Sequence, residues 1–231
     1  FDMHLIDLFK EMDKKKLTLK IQIRQEYYRV KELLDGKRPS RMDLFTYMDD
    51  DIYRICVSGS HAKENPFQHY LDFLYELGEL SEDEQELYAG IGREFIQTIE
   101  TTEMQKVYKM PILYSFYNHG NIRLAVTDEE VLESWQEFFD TGTNWKDFPN
   151  VNTYEDYKKV TDKQHLSKAK RMPIRFLKVS GKGFFVEKDG YALALRDEIG
   201  EVVGTMAFGE QMGDVLGFRS LEYLRRRYEK E

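Results

Sequence analysis

Three helix-starting signals, each placed directly ahead of an apolar stripe at helical spacing, commit this chain to a mainly α fold. Asn65-Pro66 reads as an N-cap followed by proline at the first helical position, where a missing N–H costs nothing. Behind it Phe67, Tyr70, Leu71, Leu74 and Leu77 recur on one face, and Gly78 suits the left-handed residue that ends a helix. Ser81 with Glu84, and Thr127 with Glu130, have the spacing of capping boxes, in which hydroxyl and carboxylate each satisfy a free N–H of the first turn. Leu87, Ile91, Phe95 and Ile99 follow the first box; Val131, Trp135 and Phe138 follow the second.

Strand signals are few and late. Phe184, Phe185 and Val186 are separated from Tyr191, Leu193 and Leu195 by a polar turn holding Asp189-Gly190, which predicts a β-hairpin. The run Ile122 to Val126 is a candidate for one more strand. Lys109-Met110-Pro111-Ile112 is echoed by Arg171-Met172-Pro173-Ile174. Duplication of a helix-then-strand unit or coincidence accounts for it equally well. The expected organisation is two helical subdomains, residues 1–105 and 106–231, meeting near residues 100–108, with the hairpin in a winged-helix-like arrangement. The polar stretch Gly142 to Asn152 is a further possible boundary.

With 231 residues, 41% of them hydrophobic, the chain has enough apolar surface to fold. No apolar run approaches the ~20 residues of a membrane span. The single cysteine, Cys56, excludes an internal disulfide and a thiolate zinc cage, and fits a reducing compartment, so the cytoplasm is expected. The chain opens on Phe1 with an amphipathic pattern of Leu5, Leu8, Phe9 and Met12, and reads as a fragment of a longer protein.

A formal charge of −8 argues against a protein coated by nucleic acid on all sides, so the local distribution matters more. Between residues 158 and 182 stand Lys158, Lys159, Lys163, Lys168, Lys170, Arg171, Arg175, Lys178 and Lys182, against the single acid Asp162. Such a stretch draws phosphates, because neutralising them releases condensed counterions. Helices near Thr153 to Val160 and Gln164 to Val179, followed by the hairpin, have the element order of a winged-helix module, with Pro173 as a start, kink or break in the second. A solvated lysine-rich face without a ligand explains the same residues. Of the aromatics Trp145, Phe148, Tyr154, Tyr157 and Phe176, all but Trp145 and Tyr157 are expected in the core. Arg225, Arg226 and Arg227 fit the C-terminal turn of a helix, where cations offset the macrodipole, and are secondary phosphate contacts.

Other constellations lead to no chemistry. His61-Ala62-Lys63 resembles the start of a phospholipase D motif, but position 68 is Gln68 and no second copy occurs. Asp128-Glu129-Glu130-Val131 resembles a helicase acidic box, yet no glycine-rich phosphate loop accompanies it and helix capping explains it. Asp49, Asp50 and Asp51 lack the alternation of a calcium loop, and His4, His69, His119 and His165 lack zinc spacing. Cys56 between Ile55 and Val57 reads as a small buried residue. No catalytic residue, metal, cofactor or small-molecule substrate is expected.

The segments Lys109-Met110-Pro111-Ile112-Leu113 through Tyr117-Asn118-His119-Gly120-Asn121-Ile122, and Ala169-Lys170-Arg171-Met172-Pro173-Ile174-Arg175-Phe176-Leu177 through Phe184-Phe185, resemble the C-terminal accessory region of large bacterial DEAD/DEAH-type superfamily 2 helicases. Some of those carry a phospholipase D-like nuclease domain at the front. Gly36-Lys37-Arg38-Pro39-Ser40 and the Phe67-to-Leu80 helix are similar to the stretch that follows the motor, so the resemblance covers most of the chain after Tyr27. It implies a parent that moves on DNA or RNA using ATP, with this part as a non-catalytic module that binds nucleic acid or regulates the motor. A protein-interaction or assembly module without nucleic-acid contact is the alternative; a small nuclease would need a carboxylate-and-lysine cluster that spacing does not reveal.

Overall fold

The computed structural model describes residues 19–58 and 63–228. The amphipathic pattern of residues 5–12 and the pair His61-Ala62 lie outside the described residues. The chain is mainly helical with one small antiparallel sheet, and divides into two compact units, Phe1–Glu79 and Leu80–Glu231. The division thus falls at Glu79–Leu80, and both residues 100–108 and the stretch 142–152 lie inside the second unit. Among the described residues no helix is long and apolar enough to cross a membrane.

In the first unit, α1 (Leu19–Leu33) buries Ile23, Tyr27 and Val30, one per helical turn. α2 (Arg41–Tyr47) starts at a capping box of Ser40 and Asp43, and α3 (Asp50–Cys56) is capped by the Asp49 carboxylate, which accepts from the Asp51 and Ile52 N–H groups. The three aspartates are therefore a helix start. α4 (Tyr70–Leu77) ends at Gly78, left-handed at φ 70. Its beginning differs from the sequence reading. Asn65 Oδ1 accepts from the Phe67 N–H at 2.9 Å, and this local bond folds residues 65–67 into a turn in competition with a helix, which starts only at Tyr70. Arg41 is 0% exposed, its guanidinium 4.4 Å from the Tyr70 ring centre, and the Tyr70 hydroxyl donates to the Pro39 carbonyl. Cys56 is buried, which pushes its thiol up to about 12 and leaves it protonated and inert.

The second unit opens with α5 (Glu82–Ala89), whose Ser81–Glu84 capping box forms as expected, and α6 (Ile91–Thr101). Then come α7 (Lys109–Tyr117), β1 (Ala125–Val126) and α8 (Asp128–Asp140), the last started by the Thr127–Glu130 box. After a 3-10 turn at Asn144–Asp147 follow α9 (Tyr154–Tyr157), α10 (Asp162–Ala169), a π-helical turn at Lys170–Ile174 and α11 (Arg175–Ser180). β2 (Phe185–Val186), β3 (Leu193–Leu195) and α12 (Met206–Tyr228) complete it. The sheet order is β1-β3-β2, with Ala125 opposite Ala194 and Phe185 opposite Leu195. Both copies of the Met-Pro-Ile echo lead through a helix into an edge strand of this sheet. Phe95 of α6 meets Phe184, Phe185 and Phe208 at centroid distances of 5.3, 6.1 and 5.5 Å, so sheet, α6 and α12 share one core.

One buried carboxylate ties distant segments together. Asp147, 0% exposed, accepts from Lys106 Nζ at 3.1 Å, the Val107 N–H at 2.9 Å, the Tyr223 hydroxyl at 3.1 Å and the Tyr228 hydroxyl at 2.9 Å, and forms an ion pair with Arg227 Nε at 3.2 Å. Its own carbonyl accepts from the Tyr108 hydroxyl at 2.9 Å. Of the three C-terminal arginines, Arg227 thus serves a structural ion pair. Asp147→Asn keeps the size but removes the charge, and hydrogen bonds to charged groups contribute about 1.5–3 kcal/mol. The melting temperature of D147N in a calorimetric scan is expected about 4–8 °C below that of the parent chain.

Candidate nucleic-acid interface

Thr161 starts the basic helix, its hydroxyl accepting from the Gln164 N–H while the Gln164 side chain accepts from the Thr161 N–H. Pro173 does not break it. A residue without an N–H cannot serve an i−4 carbonyl, and the chain absorbs this by widening to a π turn over Lys170–Ile174, after which α11 continues. The extra residue shifts the buried face. Regular spacing from His165 and Ala169 would bury position 176; instead Pro173, Ile174 and Leu177 are buried and Phe176 is 48% exposed. The expectation that Phe176 packs in the core is therefore corrected. The opposite correction applies to Tyr157, which is 2% exposed and packs against Phe148 and His165. Trp145 is half-buried, its ring 6.1 Å from that of Tyr154, which was expected in the core but is exposed.

Six of the nine cations, Lys163, Lys168, Lys170, Arg171, Arg175 and Lys178, lie on this single helical run from 162 to 180. Lys163, Lys170, Arg171 and Arg175 are exposed. Lys158 and Lys159 lie just past α9, and Lys182 sits in the turn before β2 at φ 49. Four of the nine meet carboxylates: Lys158 with Asp140 at 3.2 Å, Lys159 with Asp156 at 3.2 Å, Lys170 with Asp128, and Lys178 with Glu187. These pairs are at the surface and contribute little each, so a phosphate can replace the carboxylate. Lys168 turns inward, its ammonium 5.3 Å from the Tyr108 ring centre, and burial followed by the neighbouring Arg171 and Lys106 holds its pKa below the usual lysine value.

The hairpin stands beside the end of this helix. Gly181 is the joint, and a methyl group there would lie 2.5 Å from the Leu177 carbonyl and collide with the Phe185 ring. At the tip the Tyr191 N–H donates to the Lys188 carbonyl at 3.1 Å, and Gly190 alone has positive φ, at 82°, so Asp189 stays in an ordinary conformation. The Lys188 ammonium lies 5.6 Å from the Tyr191 ring centre. Lys188 lay outside the basic segment singled out in the sequence, although it adjoins the Asp189-Gly190 pair that located the hairpin.

The acidic run at 128–131 is the first turn of α8: Glu130 accepts from the Thr127 N–H and pairs with Arg123, and Asp128 pairs with Lys170. Among the described residues no group of three or more His, Cys, Asp or Glu converges as a metal site. No family model, curated protein or solved structure matches this chain.

Behind the basic helix, His165 is 3% exposed, packed edge-on to Phe148 and Tyr157 at 5.1 and 5.5 Å. Burial holds its pKa below the usual histidine value, against a smaller opposing effect of Asp162 and Asp140 and with Lys158 adding to the shift. Above the ordinary histidine pKa both folded and unfolded chains carry neutral imidazole and no stability is at stake. Below it the unfolded chain takes up a proton that the folded chain resists, so stability falls with falling pH, by at most about 1.4 kcal/mol per pH unit. Melting curves between about pH 7.5 and 5.5 are expected to show a smaller loss for His165→Phe than for the parent chain.

Proposed function

We propose that residues 109–195 form a winged-helix module that contacts nucleic acid and serves, without catalysis of its own, as a cytoplasmic accessory part of a helicase-like protein. The observation that carries this reading is connectivity. α7, β1, α8, the helical run 162–180, β2 and β3 follow in the winged-helix order, and the strand between the first two helices pairs with the last strand, giving β1-β3-β2. α8 packs on both α7 and α10, and Ser134 Oγ donates to the Pro111 carbonyl at 2.7 Å. In such modules the helix after the turn enters a groove and neighbouring elements meet the backbone. Here that helix carries exposed Lys163, Arg171 and Arg175, and the wing carries Lys188. The resemblance of the 109–122 and 169–185 segments to the region beyond helicase motors supports the wider context.

Because about four phosphates would be neutralised, the affinity for a short duplex is expected to fall about 100-fold between about 50 and 200 mM salt. Fluorescence anisotropy with single- and double-stranded DNA measures this, and the combined variant K163E/R171E/R175E is expected to lose more than tenfold at the lower salt. Absence of binding by the parent chain at low salt removes the reading. The alternative, an assembly module, draws on Ile21, Leu33, Ile55 and Tyr75, all exposed in the first unit; it is favoured if the charge variant binds DNA as the parent does.

A further inference from the structure

A cleft of about 500 Å³ lies between the end of α6, the start of α7 and the side of the helical run 170–180. Its size is within the ~300–1,000 Å³ range of small-molecule sites. Lys109 projects into it, and its ammonium is held by two hydroxyls, Thr102 Oγ1 at 2.9 Å and Ser180 Oγ at 3.3 Å. A half-buried cation ordinarily finds a carboxylate. Among the described residues Lys109 has none in ion-pair reach, and Glu103, the one acid among them lining the cleft, acts on it only through space. Burial accordingly lowers its pKa, so a bound anion would be favoured by restoring the neutralising charge. Lys182 lines the same cleft, as does Lys106, which is already bonded to Asp147.

The wall formed by the helical run 170–180 adds apolar side chains to this cationic pocket. Ser180 accepts the Lys109 ammonium, and its hydroxyl donates to the carbonyl of Phe176, one helical turn away. Residues four apart share a face, so the Phe176 ring lies beside the cationic pocket. Phe176 is 48% exposed and Met172, a further turn back, 39%; both line the cleft. An ammonium held by two hydroxyls beside a half-exposed aromatic ring matches a phosphate joined to a planar base.

We propose that this cleft is a single-nucleotide site, with the phosphate on Lys109 and Thr102, joined by Ser180 once its hydroxyl turns from the Phe176 carbonyl, and the base laid over Phe176. It differs from the duplex reading in its phosphate ligands, since Lys109 and Thr102 belong to α7 and the segment before it, although Phe176 and Ser180 lie on the basic helical run. A free nucleotide and an unpaired residue of a single strand share this chemistry.

Methyl-labelled methionine NMR on the full chain tests it, because Met104 and Met172 both line the cleft. With 5′-AMP as probe, both methyl signals are expected to shift saturably, while adenosine and inorganic phosphate each bind at least about tenfold more weakly. Phe176→Ala, at a half-exposed position, is expected to weaken AMP about tenfold, in keeping with the ~1–3 kcal/mol of base stacking. Lys109→Met is expected to weaken it at least as much. If an oligo(dA) strand moves the same signals at concentrations well below AMP, the nucleotide comes from a strand; comparable concentrations identify a free nucleotide. Unmoved Met104 and Met172 signals at millimolar AMP, or equal binding by F176A, overturn the proposal.

Discussion

The buried carboxylate of Asp147 is the interaction on which the second unit depends. An ionised carboxylate out of water costs several kcal/mol unless its lone pairs are filled, and here four donors fill them with Arg227 paired alongside. They come from the segment before α7 and from the last turns of α12, while Asp147 itself sits between α8 and α9. The demand for full satisfaction therefore sets where α7 starts relative to α8 and α12. Lys109, three residues beyond Lys106, inherits its position from that constraint, and so does the cleft it enters.

From α7 onward the geometry follows from a second local necessity. Pro173 cannot donate a backbone hydrogen bond, and the helix continues by adding a residue to one turn. That turn rotates Phe176 out of the core and leaves Met172, Phe176 and Ser180 along one open edge, with Arg171 and Arg175 beside them. The same helix buries His165 and Ala169 on the other side and ends at Gly181, where the absence of a side chain lets Phe185 approach. The hairpin is thereby held against the end of the basic helix.

Electrostatically the basic segment is balanced rather than uniformly positive. Lys158, Lys159, Lys170 and Lys178 are each matched by a carboxylate within a chain of formal charge −8. Exposed Lys163, Arg171, Arg175 and Lys188 supply the excess that a phosphate backbone would meet.

Helix starts at Ser81 and Thr127, the helix end at Gly78 and the late hairpin were all legible in the residues, because each depends on partners within a few positions. The start at Asn65-Pro66 was not, since an equally local bond from the Phe67 N–H competes there and the sequence does not rank the two. What the sequence determined by itself was thus a set of helices, a hairpin and a concentration of positive charge between 158 and 182. Which of those charges face water, which meet acids 18 or 42 positions away, and which aromatic ring remains open were decided only by tertiary structure. The reason is physical: pairing and burial depend on distance in space, and a single inserted residue in one helical turn changes the face that every later side chain presents.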